Sequence, residues 1–584
     1  MIFNICFFIS IAVFIVGIAL SIKIHNKSNG INNSFYCAAI TVFLSAVIVF
    51  LPIYSQVFDN NILGVIKICL LSVHNTIRLF IVDGEFSIVT DYLDTNCFVY
   101  QPYSIFAAVL FVLAPLLTFS VVLSFFKNIF SYQKILLNYN SELCVFSELN
   151  EKSLALAKSL AESNNKRFFV FNDVFDNGGE MSFELTNEAK KINSICLKKD
   201  ITAFKLDMHN KKSRVSFFII GENDTENIEQ CVFLIDNFKN RENTDIYIFS
   251  NSLDSELLLG SADKGKIKLR RINEIESIIF RNFYENGEKL FDNAVDSENC
   301  KKISALILGS GSYGKEVLKL LTWLCQMDGY RLYIDLFDQN DNVVSKLNAE
   351  CPELLNDVHN GYFEDYEDAQ YSINIHQGIE YESKEFLEQM LLLKDISYVF
   401  VALGNDEQNI KAAYKIRSTL AKNGIYPQIQ TVVYSSKKKN ALSKATIFNK
   451  QKIDIDFIGD FESTYKERVF LKSDIEKLAL DRHLKWGEEE TFWKYEYNYR
   501  SSTASVLHKK MRSHCNIPGA DKPVDARSDD EKLIIRKLEH RRWNAYMRSE
   551  GYSYSKIRND MAKQHNCLVK FSELSLKDQL KDDD

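Results

Sequence analysis

Several signatures are missing from this chain, and each absence removes a class of function. Lys and Arg number 70 against 77 Asp and Glu, a formal net charge of −7. A duplex-binding surface needs a basic face to displace counterions, so no nucleic acid partner is expected. The 12 cysteines are scattered without a Cys-x-x-Cys pair. Neither a zinc site nor a disulfide framework is therefore indicated, and the soluble part fits a reducing cytosol. No Thr-Val-Gly-Tyr-Gly or similar carbonyl-lined run occurs, so the usual potassium-selective filter is not visible, and conduction would need oligomerisation around a simpler pore. Proline is scarce, 7 in 584 residues, which is compositional bias. The length exceeds a single core and implies three or four domains.

What is present begins with apolar runs. Residues 2–22 are apolar apart from Asn4 and a few Ser, and about 20 such residues cross the hydrocarbon core as a helix. No Lys or Arg precedes the run and no small-x-small cleavage site follows, so it reads as a retained span rather than a signal peptide. Residues 38–54 and 105–126 give two more spans, and Pro115 in the latter is tolerated in a membrane helix. Residues 62–82 are apolar but interrupted by Lys67, His74, Asn75 and Arg78, which fall near one helical face. The expectation is a helix lying flat at the interface, with a fourth span or a pore-lining segment as the alternative.

Orientation follows from positive charge, which collects in short cytoplasmic loops. Lys23 and Lys27 flank the first loop and Lys127 and Lys134 follow the last span, while Asp83, Glu85, Asp91 and Asp94 crowd the loop before it. Three spans with the N-terminus outside then place residues 130–584 in the cytosol, below an inner membrane whose lipid surrounds residues 1–130.

Beyond the membrane region the chain repeats a phrase. Phe217-Phe218-Ile219-Ile220-Gly221-Glu222-Asn223-Asp224 returns as Phe400-Val401-Ala402-Leu403-Gly404-Asn405-Asp406, with Asp224 and Asp406 182 residues apart (406 − 224). A domain-sized unit has been duplicated. In each copy an apolar run of strand length meets a Gly, then an Asn-Asp turn, then an amphipathic helix, as in a parallel sheet. The expected fold class is α/β: N-terminal transmembrane helices, two doubly wound parallel sheets at about 141–298 and 300–460, and a small α-helical C-terminal domain within 465–584.

The second unit carries a phosphate-type loop. A strand, Ile303–Leu308, runs into Gly309-Ser310-Gly311-Ser312-Tyr313-Gly314 and then a helix, and a second strand ends at Asp338, where a ribose-binding acid belongs. Gly309 serves the tight turn, Gly311 the close approach to a pyrophosphate, and the helix start at Gly314 supplies partial positive charge. The first unit has Ser147-Glu148-Leu149-Asn150-Glu151-Lys152 at the matching place. It lacks glycine, and Glu148 and Glu151 would repel phosphate, so this copy is expected to be a scaffold. His359 and His376 lie in polar connecting stretches, where solvated side chains are expected, and these spacings assemble no acid, base and donor set.

With Gly309-x-Gly311-x-x-Gly314, Asp338 and Gly404-Asn405-Asp406-Glu407-x-Asn409, the second unit resembles the RCK (regulator of potassium conductance) N-terminal, or KTN, Rossmann domain of potassium channels and transporters. The resemblance covers about 300–435, and more faintly 141–285. It implies a ligand-gating ring or dimer, a homo-oligomer, that binds NAD or another adenine-nucleotide-derived ligand as a regulator and not a redox cofactor.

Further on, Tyr495-Glu496-Tyr497-Asn498-Tyr499-Arg500 with Trp486 and Trp493 forms an aromatic-rich stretch expected to knit helices, and Ser501, Ser502 and Thr503 read as N-cap residues of a basic helix. Glu539-His540-Arg541-Arg542-Trp543, Gly551-Tyr552-Ser553-Tyr554, Arg558 and Asn566-Cys567-Leu568-Val569-Lys570-Phe571 are similar to the RyR (ryanodine receptor) repeat, over about 531–582. That likeness implies a nucleotide-like ligand, with Trp543, Tyr552 and Tyr554 for stacking and Arg541, Arg542 and Arg558 for phosphate; a protein-docking module is the alternative. The combined modules point to a membrane sensor gating ion passage, such as an effector switched on by signalling nucleotides in antiphage defence. A regulatory subunit of a separate potassium transport system, or a membrane-anchored NAD-dependent Rossmann enzyme, stands as the alternative.

Overall fold

The computed structural model describes residues 2–27, 31–59, 61–93, 98–172, 180–206, 209–251, 263–363, 367–393, 395–444, 447–448, 451–452, 454–471 and 474–583. The chain divides into two units: residues 1–143 with 168–213, and residues 144–167 with 214–584.

The first unit begins with helices α1 (Ile2–Lys27), α2 (Ile31–Tyr54), α3 (Ile62–Phe80), α4 (Ser87–Tyr92) and α5 (Tyr100–Leu137). Four of them, all but the short α4, hold windows long and apolar enough to cross a membrane. Helices α1 and α2 pack closely, because a Cβ on Gly17 would lie 2.1 Å from Thr41 Oγ1. Ser10 Oγ also donates to the Ser45 carbonyl at 2.9 Å. Helix α5 is about 57 Å long at 1.5 Å per residue, well beyond the ~30 Å hydrocarbon core.

For residues 62–82, where the sequence leaves an interfacial helix or a fourth span, α3 is long and apolar enough to cross a membrane. Its buried residues include Gly64, Ser72, Asn75 and Thr76, while Ile62, Leu63, Ile66, Leu70 and Ile77 are exposed. Small and polar groups, with Ile68 and Leu79, face protein, and the outward side is mostly aliphatic but also carries Lys67 and His74. The polar residues that interrupted the run are therefore partly packing groups: Asn75 bonds the Tyr54 hydroxyl. Asp94 and the side chains of Lys27 and Lys127 lie outside the described residues. The strands Phe168–Phe171 and Ser194–Cys196 of this unit pair in parallel.

In the second unit, β1 (Leu143–Phe146), β2 (Val215–Ile219), β3 (Thr244–Phe249) and β4 (Lys268–Ile272) follow one another in a sheet. With them come helices α6 (Glu151–Ser163), α7 (Asp224–Phe238) and α8 (Glu274–Asn286). The second sheet holds β5 (Val295–Asp296), β6 (Lys301–Leu308), β7 (Tyr330–Asp338), β8 (Ser372–Gln377), β9 (Tyr398–Val401), β10 (Gln428–Val432) and β11 (Ile455–Ile458). Its order is β8-β7-β6-β9-β10-β11, all parallel, with β5 antiparallel on β6. In order of appearance the six parallel strands run 3-2-1-4-5-6, the doubly wound arrangement, and the direction of winding reverses between β6 and β9. Helices α9 (Ser312–Leu324) and α10 (Asp406–Lys422) follow those two strands.

The repeated phrase has the same role in both copies. Asn223 caps α7 by accepting from Thr225 N, and Asn405 caps α10 by accepting from Gln408 N, at 3.0 and 2.9 Å. Asn227 binds the Gly221 N–H and carbonyl and donates to the Phe249 carbonyl. Asn409 accepts from Leu403 N and donates to the Val432 carbonyl. Each Asn ties the ends of two neighbouring strands together.

The copies also exchange helices. Helix α8 follows the first sheet but packs on the second, through Asn282 Nδ2 donating to Gln430 Oε1 at 2.9 Å and Phe280 edge-on to Trp323. Conversely, the short helix Glu467–Phe470 follows the second sheet and docks on the first copy: Glu467 pairs with Arg167 at 3.2 Å and takes a bond from its own N–H to Ser159 Oγ.

Helices α11 (Asp474–His483), α12 (Glu496–His514) and α13 (Asp529–Ser549) complete the chain's helical part. Trp493 and Tyr499 flank the Arg270 guanidinium at 5.6 and 5.4 Å, so the aromatic stretch does knit elements together. Ser501, Ser502 and Thr503 are not N-cap residues; they lie inside α12. The neighbouring Arg500 is buried between Glu276 and Glu550, at 2.8 and 2.7 Å, which fixes this stretch mid-helix. Gly551 turns the chain at φ +85°, and two short paired strands, Ser553–Tyr554 and Gln564–His565, follow it in place of another helix.

Candidate functional site

The crevice where winding reverses lies at the carboxyl ends of β6 and β9, and in sheets of this kind ligands bind there. Gly309–Gly314 leaves β6 and Gly404-Asn405 leaves β9, and the paired ends Leu308 and Val401 bring the two loops together. Gly311, Ser312, Gly404 and Asn405 are exposed at this rim.

The glycines of the loop have different reasons to be glycine. Gly309 sits at φ +99°, and a Cβ there would lie 2.2 Å from the Ala402 carbonyl oxygen. A Cβ on Gly314 would lie 1.8 Å from the Gly309 carbonyl oxygen. The protein's own backbone demands both. Gly311 is different: a Cβ there would meet nothing within 4 Å. It begins α9 with extended backbone and no side-chain cap. The first N–H groups of a helix have no intrahelical partner, so this end of α9 presents donors and partial positive charge to open space.

Asp338 closes the other side. Its Oδ2 accepts from Ser310 N at 2.6 Å and Ser310 Oγ at 2.8 Å, and its Oδ1 accepts from Asn340 N at 2.7 Å. The acid at the end of β7 is thus fixed against the loop, and Oδ1 has a second lone pair for a hydroxyl. Tyr313 turns inward, its ring edge-on to Tyr434 at 6.1 Å, and burial followed by Tyr434 and Glu274 pushes its hydroxyl well above the usual range. Asp406 also faces protein: its oxygens accept from Tyr434 N and Ser435 N, at 2.8 and 3.1 Å. A phosphate at Gly311 and Ser312 and a sugar hydroxyl at Asp338 would fit this donor set.

The matching crevice of the first copy is shut by its own side chains. Asn150 caps α6 in a reciprocal box with Ser153. Asn150 Nδ2 also donates to the Ile220 carbonyl at 3.0 Å and to Glu148 Oε1 at 2.5 Å. Ser147 Oγ accepts from Ile220 N at 3.0 Å. The helix end that would receive a phosphate is already capped, and a carboxylate stands beside it.

No family model and no curated protein matches this chain. A solved structure does: GsuK bound to ADP, at a TM-score of 0.34 and 14% identity, over 73% of this chain and 96% of that one. A likeness of that degree carries no argument about this chain, whose own geometry has to do so.

Of the residues nominated for a second ligand site, Trp543, Tyr554 and Arg558 lie around His565, while Arg541 and Arg542 face carboxylates. Arg541 pairs with Asp328 at 2.5 Å, whereas the adjacent Arg542 is buried and donates to Glu539 at 2.8 Å. Trp543 meets the His565 ring edge-on at 4.8 Å, and Tyr554 pairs with His565 in the strand register. Tyr552 is buried and Tyr554 exposed. Arg558 is held by Asp560 and lies over the Tyr497 ring. His359 and His376 are not solvated as expected: His376 Nε2 meets Asp335 at 2.9 Å and its ring stacks on Phe337, and His359 faces Glu353 and Asp368. Missed from the sequence was a basic cluster formed by Arg482, Lys509, Arg512 and Arg536. The spacing of Lys509 and Arg512 on α12, together with an acidic run late in the sequence, was its available signal.

Proposed function

We propose that this chain is a membrane-bound sensor whose second sheet binds an adenine-nucleotide-derived ligand, NAD or a relative, as a regulator. Residues Gly309, Ser310, Gly311, Ser312 and Gly314 take the phosphates, Asp338 a ribose, and Gly404 with Asn405 forms the facing rim. The observation that carries this reading is Gly311. Its missing side chain is not required by any neighbouring protein atom, and the helix behind it is uncapped, whereas the degenerate copy is capped and acidic.

Function follows by population shift. A ligand that binds one arrangement of the two copies better than another stabilises that arrangement in proportion to the difference. The sheets trade helices, so a change at one loop alters the other copy's packing. In a homo-oligomer set in lipid, this would regulate ion passage through α1–α5, in line with the RCK-like motifs. Residues 130–584 lie on the cytosolic face of the inner membrane. Read as four crossings, the helices put the N-terminus on that face too, opposite to what three give, with Lys23 and Lys27 outside.

The test is thermal unfolding of the full-length chain in detergent with NAD, ADP-ribose, ATP and cyclic nucleotides. A ligand held about 100-fold above its Kd adds roughly 2.7 kcal/mol. The same ligand should then change ion flux in liposomes holding this protein alone. No stabilisation by any of the panel would sink the reading.

A further inference from the structure

A second anion site, separate from the glycine loop, lies in the helical part. Helices α11, α12 and α13 bring Arg482, Lys509, Arg512, Arg536 and Arg542 to one place. Glu539, buried among them, stands 2.8 Å from Arg542, 3.5 Å from Arg482 and 3.9 Å from Arg512, and accepts from Ser505 Oγ at 2.9 Å. Arg542 is 2% exposed, yet its Nε and Nη1 have no hydrogen-bond partner among the described residues. Burial, followed by Lys485, Arg512, Arg482 and Arg527, lowers the Lys509 ammonium to about 8. Positive charge is concentrated here beyond what a fold-stabilising ion network requires, since buried donors are ordinarily satisfied.

An acidic segment sits at this cluster. Asp583 takes a two-pronged bond from Arg536, Nε to Oδ1 and Nη2 to Oδ2 both at 2.6 Å, and its carbonyl faces Arg482 Nη1 at 3.4 Å. Asp582 reaches His540 Nδ1 at 3.4 Å. Planar guanidiniums bind carboxylate and phosphate in the same forked way.

We propose that this cluster binds an anion carrying two or more phosphate groups, and that Asp582 and Asp583 are a built-in competitor for it. Tethered carboxylates act at an effective concentration on the order of millimolar. A ligand therefore has to displace them, and the turn Leu580–Asp582 that packs on α13 is released when it does.

The experiment measures binding of inorganic tripolyphosphate to the full-length chain in detergent by calorimetry. Asp582→Asn with Asp583→Asn should tighten binding about tenfold, and Lys509→Gln should weaken it about tenfold. Lys509 is half-buried, so that variant is expected to fold, as circular dichroism will check. Gly311→Ala should leave tripolyphosphate affinity at this cluster unchanged. The proposal is overturned if the Asp variant binds no more tightly than the parent, if neither binds, or if Gly311→Ala and not Lys509→Gln abolishes binding.

Discussion

Arg548 lays its guanidinium along the carboxylate of Asp368, Nη1 to Oδ1 at 3.1 Å with Nη2 on Oδ2, and the two side chains are 1% and 4% exposed. Asn544 donates to the same Oδ1 at 2.5 Å. Helix α13 is therefore anchored to the connection that enters β8, and the C-terminal helical part and the second sheet share a buried ion pair.

Removing the Asp368 charge takes from the buried Arg548 guanidinium its two-pronged partner and leaves Glu353, at 3.5 Å from Nε, as a poorer one. Asp368→Asn should cost about 3–5 kcal/mol, while the double change Asp368→Leu with Arg548→Met should recover most of the loss. Denaturant unfolding of the full-length chain reads both, and equal losses in the single and double variants would refute the anchor.

The two glycine substitutions should separate folding from binding. Gly314→Ala puts a Cβ 1.8 Å from the Gly309 carbonyl oxygen, so the loop and α9 have to shift apart and the melting temperature should fall. Gly311→Ala enters open space, so the melting temperature without ligand should hold while nucleotide-induced stabilisation disappears.

Acid should weaken the helical part through His508. This ring is fully buried and Nε2 meets the Gln326 carbonyl oxygen at 2.9 Å. Burial first, then Arg512, lowers its proton affinity to about 3. The folded value lies below the unfolded 6.5, so the unfolded state takes up the proton first. Stability is complete above pH 6.5 and declines as pH falls from 6.5 toward 3, by up to about 1.4 kcal/mol per pH unit. His508→Gln should flatten that slope in a pH series of unfolding curves.

Four crossings and three make opposite statements about the first residue. A protease-cleavable tag at the N-terminus should be protected in intact spheroplasts and cut after permeabilisation. Cleavage in intact spheroplasts would restore three crossings, with α3 outside the count.

Much of the second sheet was readable from sequence because its signals are local. The glycine turn and the Asn223 and Asn405 caps each act within a few residues, and α9 begins within one turn of where the glycines put it. The phrase itself was read as a repeat without its reason; Asn227 and Asn409 turn out to fasten strand ends together. What stayed hidden depends on partners far apart in sequence. Nothing near Asn282 announces Gln430, and nothing near Glu467 announces Arg167, so the exchange of helices leaves no local trace. Ser501–Thr503 misled for a related reason: cap propensity is worth about 1 kcal/mol, and the buried contacts of Arg500 with Glu276 and Glu550 outweigh it. Helix α3 stays open to two readings in the sequence because Lys67, His74 and Arg78 interrupt an otherwise apolar run.

The side chains of Asn150 and Glu148 that close the first copy's crevice have a consequence for counting. A duplicated nucleotide fold would ordinarily saturate at two equivalents per chain with matched affinities. On the proposed reading, saturation at that fold would come at one, because the capped first copy would not compete for ligand. On that reading each polypeptide would be an unequal pair, one half responsive and the other a fixed reference, and a homo-oligomer of such chains would carry responsive and silent positions in equal number.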